Sequence, residues 1–376
     1  MKPHLSLYIH IPWCLKKCPY CDFYSKTIKK KNIPEKKYIK HLLLDFKNDL
    51  KLINSRKICS IFIGGGTPNL IHPNSIKYLI EEIKKQINFS KNIEITLESN
   101  PKSVHENVFF KYKESGINRL SLGIQSFNEK LLKKINRQYS LQELLNTIQY
   151  IKKINFKSIN FDLMYGLPSQ TVQESFQDLL YAIKYKPSHI SWYQLSVEKN
   201  TLFDKKKIIL PDEKKIISMF NKGKKFLKRN KYFQYEISSY AKKRKKCKHN
   251  LNYWNFGDYI GIGCGAHGKI TLKNNKIIRT VKNKNINKFL SGNYIKKKIY
   301  IKKKDLAFEF FLNMFRLNKP CPKKQFKKYT GLQIKEIEKN IHKAIKKKYI
   351  IENHDSWKTT KKGKIFLNNL LQIFIK

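Results

Sequence analysis

Arginine is scarce in this 376-residue chain, and acidic side chains, glycine and proline are few. Only seven arginines occur, at 56, 119, 137, 229, 244, 279 and 316, so 72 of the 79 basic residues are lysine. Against them stand 27 Asp and Glu, which leaves a formal net charge of +52. A balance this basic invites a polyanion partner, because basic proteins gain affinity by releasing counterions from phosphates. The shortage of arginine argues against a specific nucleic-acid interface, which favours the bidentate guanidinium. Lys, Ile, Asn, Tyr and Phe all have A/T-rich codons, and drift in an A/T-rich genome produces this composition without selection for a polyanion. What the charge does predict is nonspecific attraction to acidic surfaces, such as membranes or an acidic acceptor.

No run of about 18 apolar residues is present, so no membrane-spanning helix is expected. The opening MKPHLSLYIHIPWC is interrupted by His4, His10 and Pro12 and lacks a small-residue cleavage site, so no export signal is expected. With 41% hydrophobic and 13% aromatic residues the chain can bury a sizeable core, which excludes wholesale disorder. Cysteines stand at 14, 18, 21, 59, 247, 264 and 321. Their odd number and the crowding of three within eight residues argue for a metal or cluster site in a reducing cytoplasm, not a disulfide framework.

Apolar strand-like runs alternate with longer periodic segments. Strands are expected at Leu5–Ile11, Ser60–Ile63, Ile93–Glu98, Arg119–Gln125, Ile159–Met164 and His189–Leu195, with helical segments near 34–53, 74–87, 103–115, 128–153 and 171–185. Repeated βα units demand parallel strands with right-handed crossovers. Six units fit an incomplete (β/α)6 barrel better than a closed eight-unit one, with a doubly wound open sheet as the alternative. A helix over 212–231, a strand over Tyr232–Ser239, a basic connector and a Gly- and aromatic-rich stretch follow, and the run Lys296–Lys304 reads as a linker. Helices over Asp305–Leu317, Ile334–Lys347 and Lys361–Phe374, with a hairpin over Tyr349–Thr359, suggest a small α+β winged-helix-like tail. The expected division is a partial barrel over 1–240, an extension and linker over 241–300, and the tail over 301–376.

Directly after the first strand lies Cys14-Leu15-Lys16-Lys17-Cys18-Pro19-Tyr20-Cys21, a C-x3-C-x2-C spacing. Three thiolates on one short loop can hold three irons of a [4Fe–4S] cluster and leave the fourth open to another ligand. A zinc site would need a further Cys or His, and His10 is the nearest candidate. Gly64-Gly65-Gly66-Thr67-Pro68 follows the second strand, where a glycine run permits close backbone approach and offers N–H donors. Glu98, Gln125 and Asp162 fall near the ends of the third, fourth and fifth strands, which a barrel gathers at one mouth. Arg137 is one of the few guanidiniums kept in a lysine-rich chain, which suggests bidentate recognition of a carboxylate.

The cysteine spacing resembles the signature of the radical S-adenosylmethionine (SAM) superfamily. The run Tyr8-Ile9-His10-Ile11-Pro12-Trp13-Cys14, the strand-end motifs and His249-Asn250-Leu251-Asn252-Tyr253-Trp254 together resemble the oxygen-independent coproporphyrinogen III oxidase family over nearly the whole chain, and within it the haem-chaperone branch. The oxidases carry a further Cys two residues after the third, where this chain has Phe23, and a longer N-terminal extension. Both departures favour the chaperone branch. The resemblance implies one [4Fe–4S] cluster on Cys14, Cys18 and Cys21, with SAM on its open iron. It implies SAM contacts from Tyr8, Tyr20, Gly65, Gly66, Thr67, Glu98, Gln125, Arg137, Asp162, Ser196 and His267. It further implies haem binding by His249, Asn250, Tyr253 and Trp254, and haem transfer to acceptor haem proteins, including membrane-associated ones. Two other functions remain open at this point. One is the radical decarboxylation of coproporphyrinogen III. The other is nucleic-acid binding through the basic surface and the tail.

Overall fold

The computed structural model describes residues 2–53, 56–101 and 106–375. Strand β1 (Leu5–Ile11) leads into a small parallel pair, β2 (Trp13–Cys14) and β3 (Lys26–Thr27). Then come α1 (Glu35–Leu50), β4 (Ile58–Gly65), α2 (Pro73–Gln86), β5 (Phe89–Ser99), α3 (Glu106–Glu114) and β6 (Arg119–Gln125). Next are α4 (Glu129–Lys134), α5 (Leu141–Ile154), β7 (Ser158–Tyr165), α6 (Val172–Lys184) and β8 (His189–Gln194). Strands β1, β4, β5, β6, β7 and β8 pair in parallel in that order, as the alternating pattern predicts. The start of the helix expected over 103–115 lies outside the described residues.

Side chains alternate across each strand. One face packs apolar residues into the main core, including Leu5, Leu7, Ile9 and Ile11 of β1 and Leu120, Leu122 and Ile124 of β6. The other face is polar and still buried, with Ser6 and His10 on β1, Glu94 and Thr96 on β5, Arg119 and Ser121 on β6, and His189 on β8. A barrel whose interior is polar must satisfy those groups or hold something that does.

The 128–153 segment, expected as one helix, is two. Asn136 takes a left-handed conformation (φ 60°). Ser140 and Glu143 then close a capping box that starts α5 afresh.

Residues 241–300, expected as an extension and linker, instead build onto the same sheet. After α7 (Leu202–Lys205) and α8 (Glu213–Arg229), the strand expected at Tyr232–Ser239 is replaced by two short antiparallel pieces, β9 (Phe233–Gln234) and β10 (Ser239–Ala241). Helix α9 (Lys248–Trp254) is followed by β11 (Asp258–Ile262), β12 (His267–Thr271), β13 (Ile277–Lys282), α10 (Ile286–Leu290) and β14 (Ile295–Tyr300). The twelve-stranded order is β14-β13-β12-β11-β1-β4-β5-β6-β7-β8-β10-β9. Buried Lys282 fastens this half to α1, its ammonium 2.5 Å from Asp45 and 2.8 Å from Asp49. The lysine run read as a linker is an edge strand, because its backbone ladders onto β13 while all six side chains of β14 stay exposed.

The tail has its own core around Phe310, Phe311, Phe326 and Trp357. Its elements are α11 (Leu306–Met314), β15 (Cys321–Pro322), α12 (Lys323–Thr330), α13 (Glu338–Lys346), the hairpin β16 (Ile350–Glu352) and β17 (Ser356–Thr359), and α14 (Lys361–Ile365) with α15 (Leu367–Gln372). Helix α12 escapes sequence periodicity because it buries only Phe326 and Thr330 in a lysine-rich octet. Phe256 and Ile277 of the larger unit join this core.

Candidate cofactor-binding site

The C-terminal ends of the parallel strands surround a pocket of about 400 Å³. Its wall includes Cys14, Cys18, Tyr20, Cys21, Gly65, Gly66, Thr67, Glu98, Gln125, Arg137, Asp162 and Ser196. Twelve of the positions expected from sequence therefore meet at one mouth. Tyr8 and His267 do not line it. Tyr8 points into the barrel below the mouth, where its hydroxyl lies 3.0 Å from His10 Nδ1 and its ring stacks on Phe62. His267 is exposed at the start of β12.

The cysteine loop is pinned at its base. Lys26 N–H donates to Pro12 O and Ile28 N–H to Cys14 O, while a tight turn brings Cys21 N–H to Cys18 O. All seven cysteines are free thiols. Among the described residues, no three His, Cys, Asp or Glu side chains converge on a point that would hold a single ion. His10, the candidate fourth zinc ligand, has both ring nitrogens engaged, Nδ1 with Tyr8 and Nε2 with the Tyr24 carbonyl. The loop suits a multi-iron group that takes one thiolate per iron better than it suits a lone zinc.

The glycine run does not work as free donors. Gly65 N–H points to Glu98 Oε2 at 3.2 Å, Gly66 N–H to Ile11 O at 2.8 Å and Thr67 N–H to Trp13 O at 2.8 Å. Its role is close packing. A Cβ on Gly66 would lie 2.5 Å from the Trp13 carbonyl and 3.0 Å from Cys14 Sγ, and Gly65 has a φ of +112°. Absence of side chains lets this turn press against the cysteine loop and hold it in place.

Glu98 sits over that turn. Burial, reinforced by the charge of Asp162, pushes its carboxyl up to about 8. Asp162 accepts from Ser121 Oγ and Asn160 Nδ2, each at 2.8 Å. Gln125 takes a left-handed backbone (φ 68°) and accepts from the Tyr193 hydroxyl at 2.9 Å. Such a conformation in a non-glycine residue costs energy and persists where the surroundings over-determine it. Ser196 lies exposed at the rim, its hydroxyl donating to Glu198. Tyr193 also lines the pocket and was missed from sequence. The signal was available, since it shares a strand face with Ser191 and His189.

Arg137 is placed by the break between α4 and α5. Its Nη2 donates to the Tyr20 hydroxyl at 3.2 Å, and its Nε is buried without a partner. Among the described residues it forms no ion pair. A guanidinium held this way, facing a pocket, is prepared for an anion that the chain does not supply.

The haem motif lies at the opposite end of the barrel. His249 is buried with Nδ1 3.1 Å from Ser60 Oγ, and its ring packs on Phe62. Burial, aided by Arg119, pulls its pKa down to about 3, and its Nε2 has no partner. Tyr253 stacks on Tyr259 at 4.0 Å, and Arg316 lies 4.8 Å over the Trp254 ring. Asn250 is half-buried on the same short helix. Glu94 anchors α9 by accepting the N–H groups of Lys248 and His249 and the Cys247 thiol. Cys247 is buried, which pushes its thiol up to about 12, and Cys264 is buried near the Tyr24 hydroxyl. These two are packing thiols inside the protein. The motif forms a short helix whose His and Tyr face inward.

Residues 8–180 match the radical SAM superfamily, and residues 301–366 match the HemN C-terminal domain. A curated relative from Buchnera aphidicola subsp. Schizaphis graminum, "Heme chaperone HemW", is 57% identical over 99% of each chain. A relative of the same name from Escherichia coli is 43% identical over 99% of this chain and 98% of its own. The chain belongs to the HemW family. Membership of the radical SAM superfamily implies a [4Fe–4S] cluster and SAM. The fold agrees with that of the E. coli coproporphyrinogen III oxidase HemN, at a TM-score of 0.84 and 21% identity over 99% of this chain and 90% of that one. No helix among the described residues is long and apolar enough to cross a membrane.

Proposed function

We propose that this HemW-family chain is a haem chaperone. It would carry a [4Fe–4S] cluster and SAM at the barrel mouth, bind haem, and hand the haem to an acceptor haem protein in the cytoplasm. Support comes from the full-length similarity to curated haem chaperones and from Phe23 at the position where the oxidases have a cysteine. The observation that carries the cofactor assignment is the mouth itself, where three thiols share a pocket with a guanidinium that has a buried Nε and no counter-ion among the described residues.

Cys14, Cys18 and Cys21 hold the cluster in this reading. Arg137 binds the carboxylate of SAM, and Tyr20 orients Arg137 through its hydroxyl. Gly65 and Gly66 with Thr67 support the loop from below, and Glu98, Gln125 and Asp162 form the polar wall, with Ser196 at the rim. When bound, the cluster supplies the electron that SAM chemistry uses. The chain's own residues bind, orient and shield these groups.

The deciding experiment uses the reconstituted protein. Added haem should give a Soret band, and an apo acceptor should take the haem from it. Coproporphyrinogen III with SAM and a reductant should remain unconverted. Its conversion to protoporphyrinogen would overturn the chaperone reading in favour of an oxidase.

A further inference from the structure

Helix periodicity divides α9 into two faces. His249 and Tyr253, four residues apart, turn into the barrel. Lys248, Leu251, Asn252 and Asn255 line a separate cleft of about 630 Å³ on the outer side, within the usual size range of ligand sites. The opposite wall is α12, with Lys324 and Lys328 one turn apart and Tyr329 beside them. Gln325 fixes this wall, donating to Asn255 O at 2.9 Å. The floor holds His4, exposed just before β1, and half-buried Cys59, whose sulfur lies 3.6 Å from Ser6 Oγ. Among the described residues, no acidic side chain lines the cleft.

We propose that haem docks in this cleft between α9 and α12. Its two propionates would rest on Lys324 and Lys328, and its iron would face His4 or Cys59, while His249 stays inside the barrel. The proposal rests on the haem-chaperone reading and gives it a place. An amphipathic dianion needs apolar surface flanked by paired cations, and Leu251, Tyr329 and Pro322 with the two lysines supply both. Imidazole and thiolate are both established haem-iron ligands, and the floor offers one of each. His249 cannot serve without moving α9, because Glu94 holds the helix N-terminus and the ring lies under Phe62.

The test uses the reconstituted full chain, titrated with hemin and with metal-free protoporphyrin IX at physiological salt. K324E/K328E should weaken both porphyrins about tenfold or more, equivalent to about 1.4 kcal/mol. Either H4A or C59S should shift the hemin Soret band and leave protoporphyrin affinity unchanged. H249N should leave the Soret band where it is. If the wild type binds hemin, the lysine variants keep wild-type affinity and only H249N moves the Soret band, the cleft is wrong and the chaperone reading stands. If the wild type binds no hemin, the chaperone reading itself fails.

Discussion

The two ends of the barrel are built from the same kinds of residue and behave oppositely. At the floor, many polar groups close on one another, although His249 Nε2, Arg119 Nε and Thr96 Oγ1 have no hydrogen-bond partner among the described residues. Asn160 links Asp162 to His189, His189 reaches the Tyr235 hydroxyl, and Tyr235 accepts the Cys247 N–H. Glu94 completes the chain by capping α9. At the mouth the partners run out. Among the described residues Arg137 has no carboxylate partner, and Glu98 accepts one hydrogen bond, from Gly65. Polarity inside a barrel therefore does not by itself mark a site. A site is where unpartnered charge and donors border a pocket, as Arg137 and Glu98 do.

Substitutions at the two ends should separate binding from stability. The largest effect is expected from Cys18→Ala, which removes one of three thiols. Iron and sulfide analysis should fall to background with loss of the visible absorption, and a retained cluster would break the assignment of the mouth. Next, Glu94→Ala strips the cap from α9 and removes one of the two acids, with Asp162, that act on buried Arg119. Thermal or denaturant unfolding should show a loss of about 3 kcal/mol. A stable variant would mean the floor is not sealed as described. Arg137→Ala should do the reverse, weakening SAM affinity about tenfold or more, as expected for losing a charged hydrogen-bonding group, with little change in unfolding.

A smaller, pH-dependent effect belongs to Glu98. Its carboxyl is raised from 4.5 to about 8 by burial and Asp162, so the folded state keeps a proton that the unfolded chain releases. That contribution to stability is fully present below about pH 4.5 and is lost as pH rises towards 8. Glu98→Gln should flatten this slope relative to the parent in unfolding measured across pH 4–8, and an unchanged slope would contradict the burial argument. The smallest effect is expected from Lys297→Glu on exposed β14, within about 0.5 kcal/mol in the same measurement.

Much of the mouth was legible in the sequence because its signals are local. Leu5–Ile11 and Arg119–Gln125 were expected to the residue, since apolar and small or polar positions alternate without interruption. The cysteine loop and glycine run follow strands, and that order alone places them at a mouth. What stayed hidden depends on contacts distant in sequence. The parallel pairing of β11 with β1 joins residues some 250 positions apart, so 241–300 did not announce itself as part of the sheet. The inward turn of His249 depends on Ser60 and Glu94, neither near it in the chain. Arg137 was singled out by scarcity. The capping box at Ser140 and Glu143, which breaks the helix and so positions it, was also present in the sequence and went unused.

Strand β14 has one further consequence. An open sheet has two rims, and a rim of unpaired backbone is a template on which another copy of the chain can continue the sheet. Here one rim carries consecutive lysines at 296, 297 and 298, all exposed, and the other ends in the two-residue strand β9. A second molecule approaching the first rim meets its own charge, and one approaching the second finds almost nothing to pair with. The lysine run thus opposes continuation of the sheet along this rim.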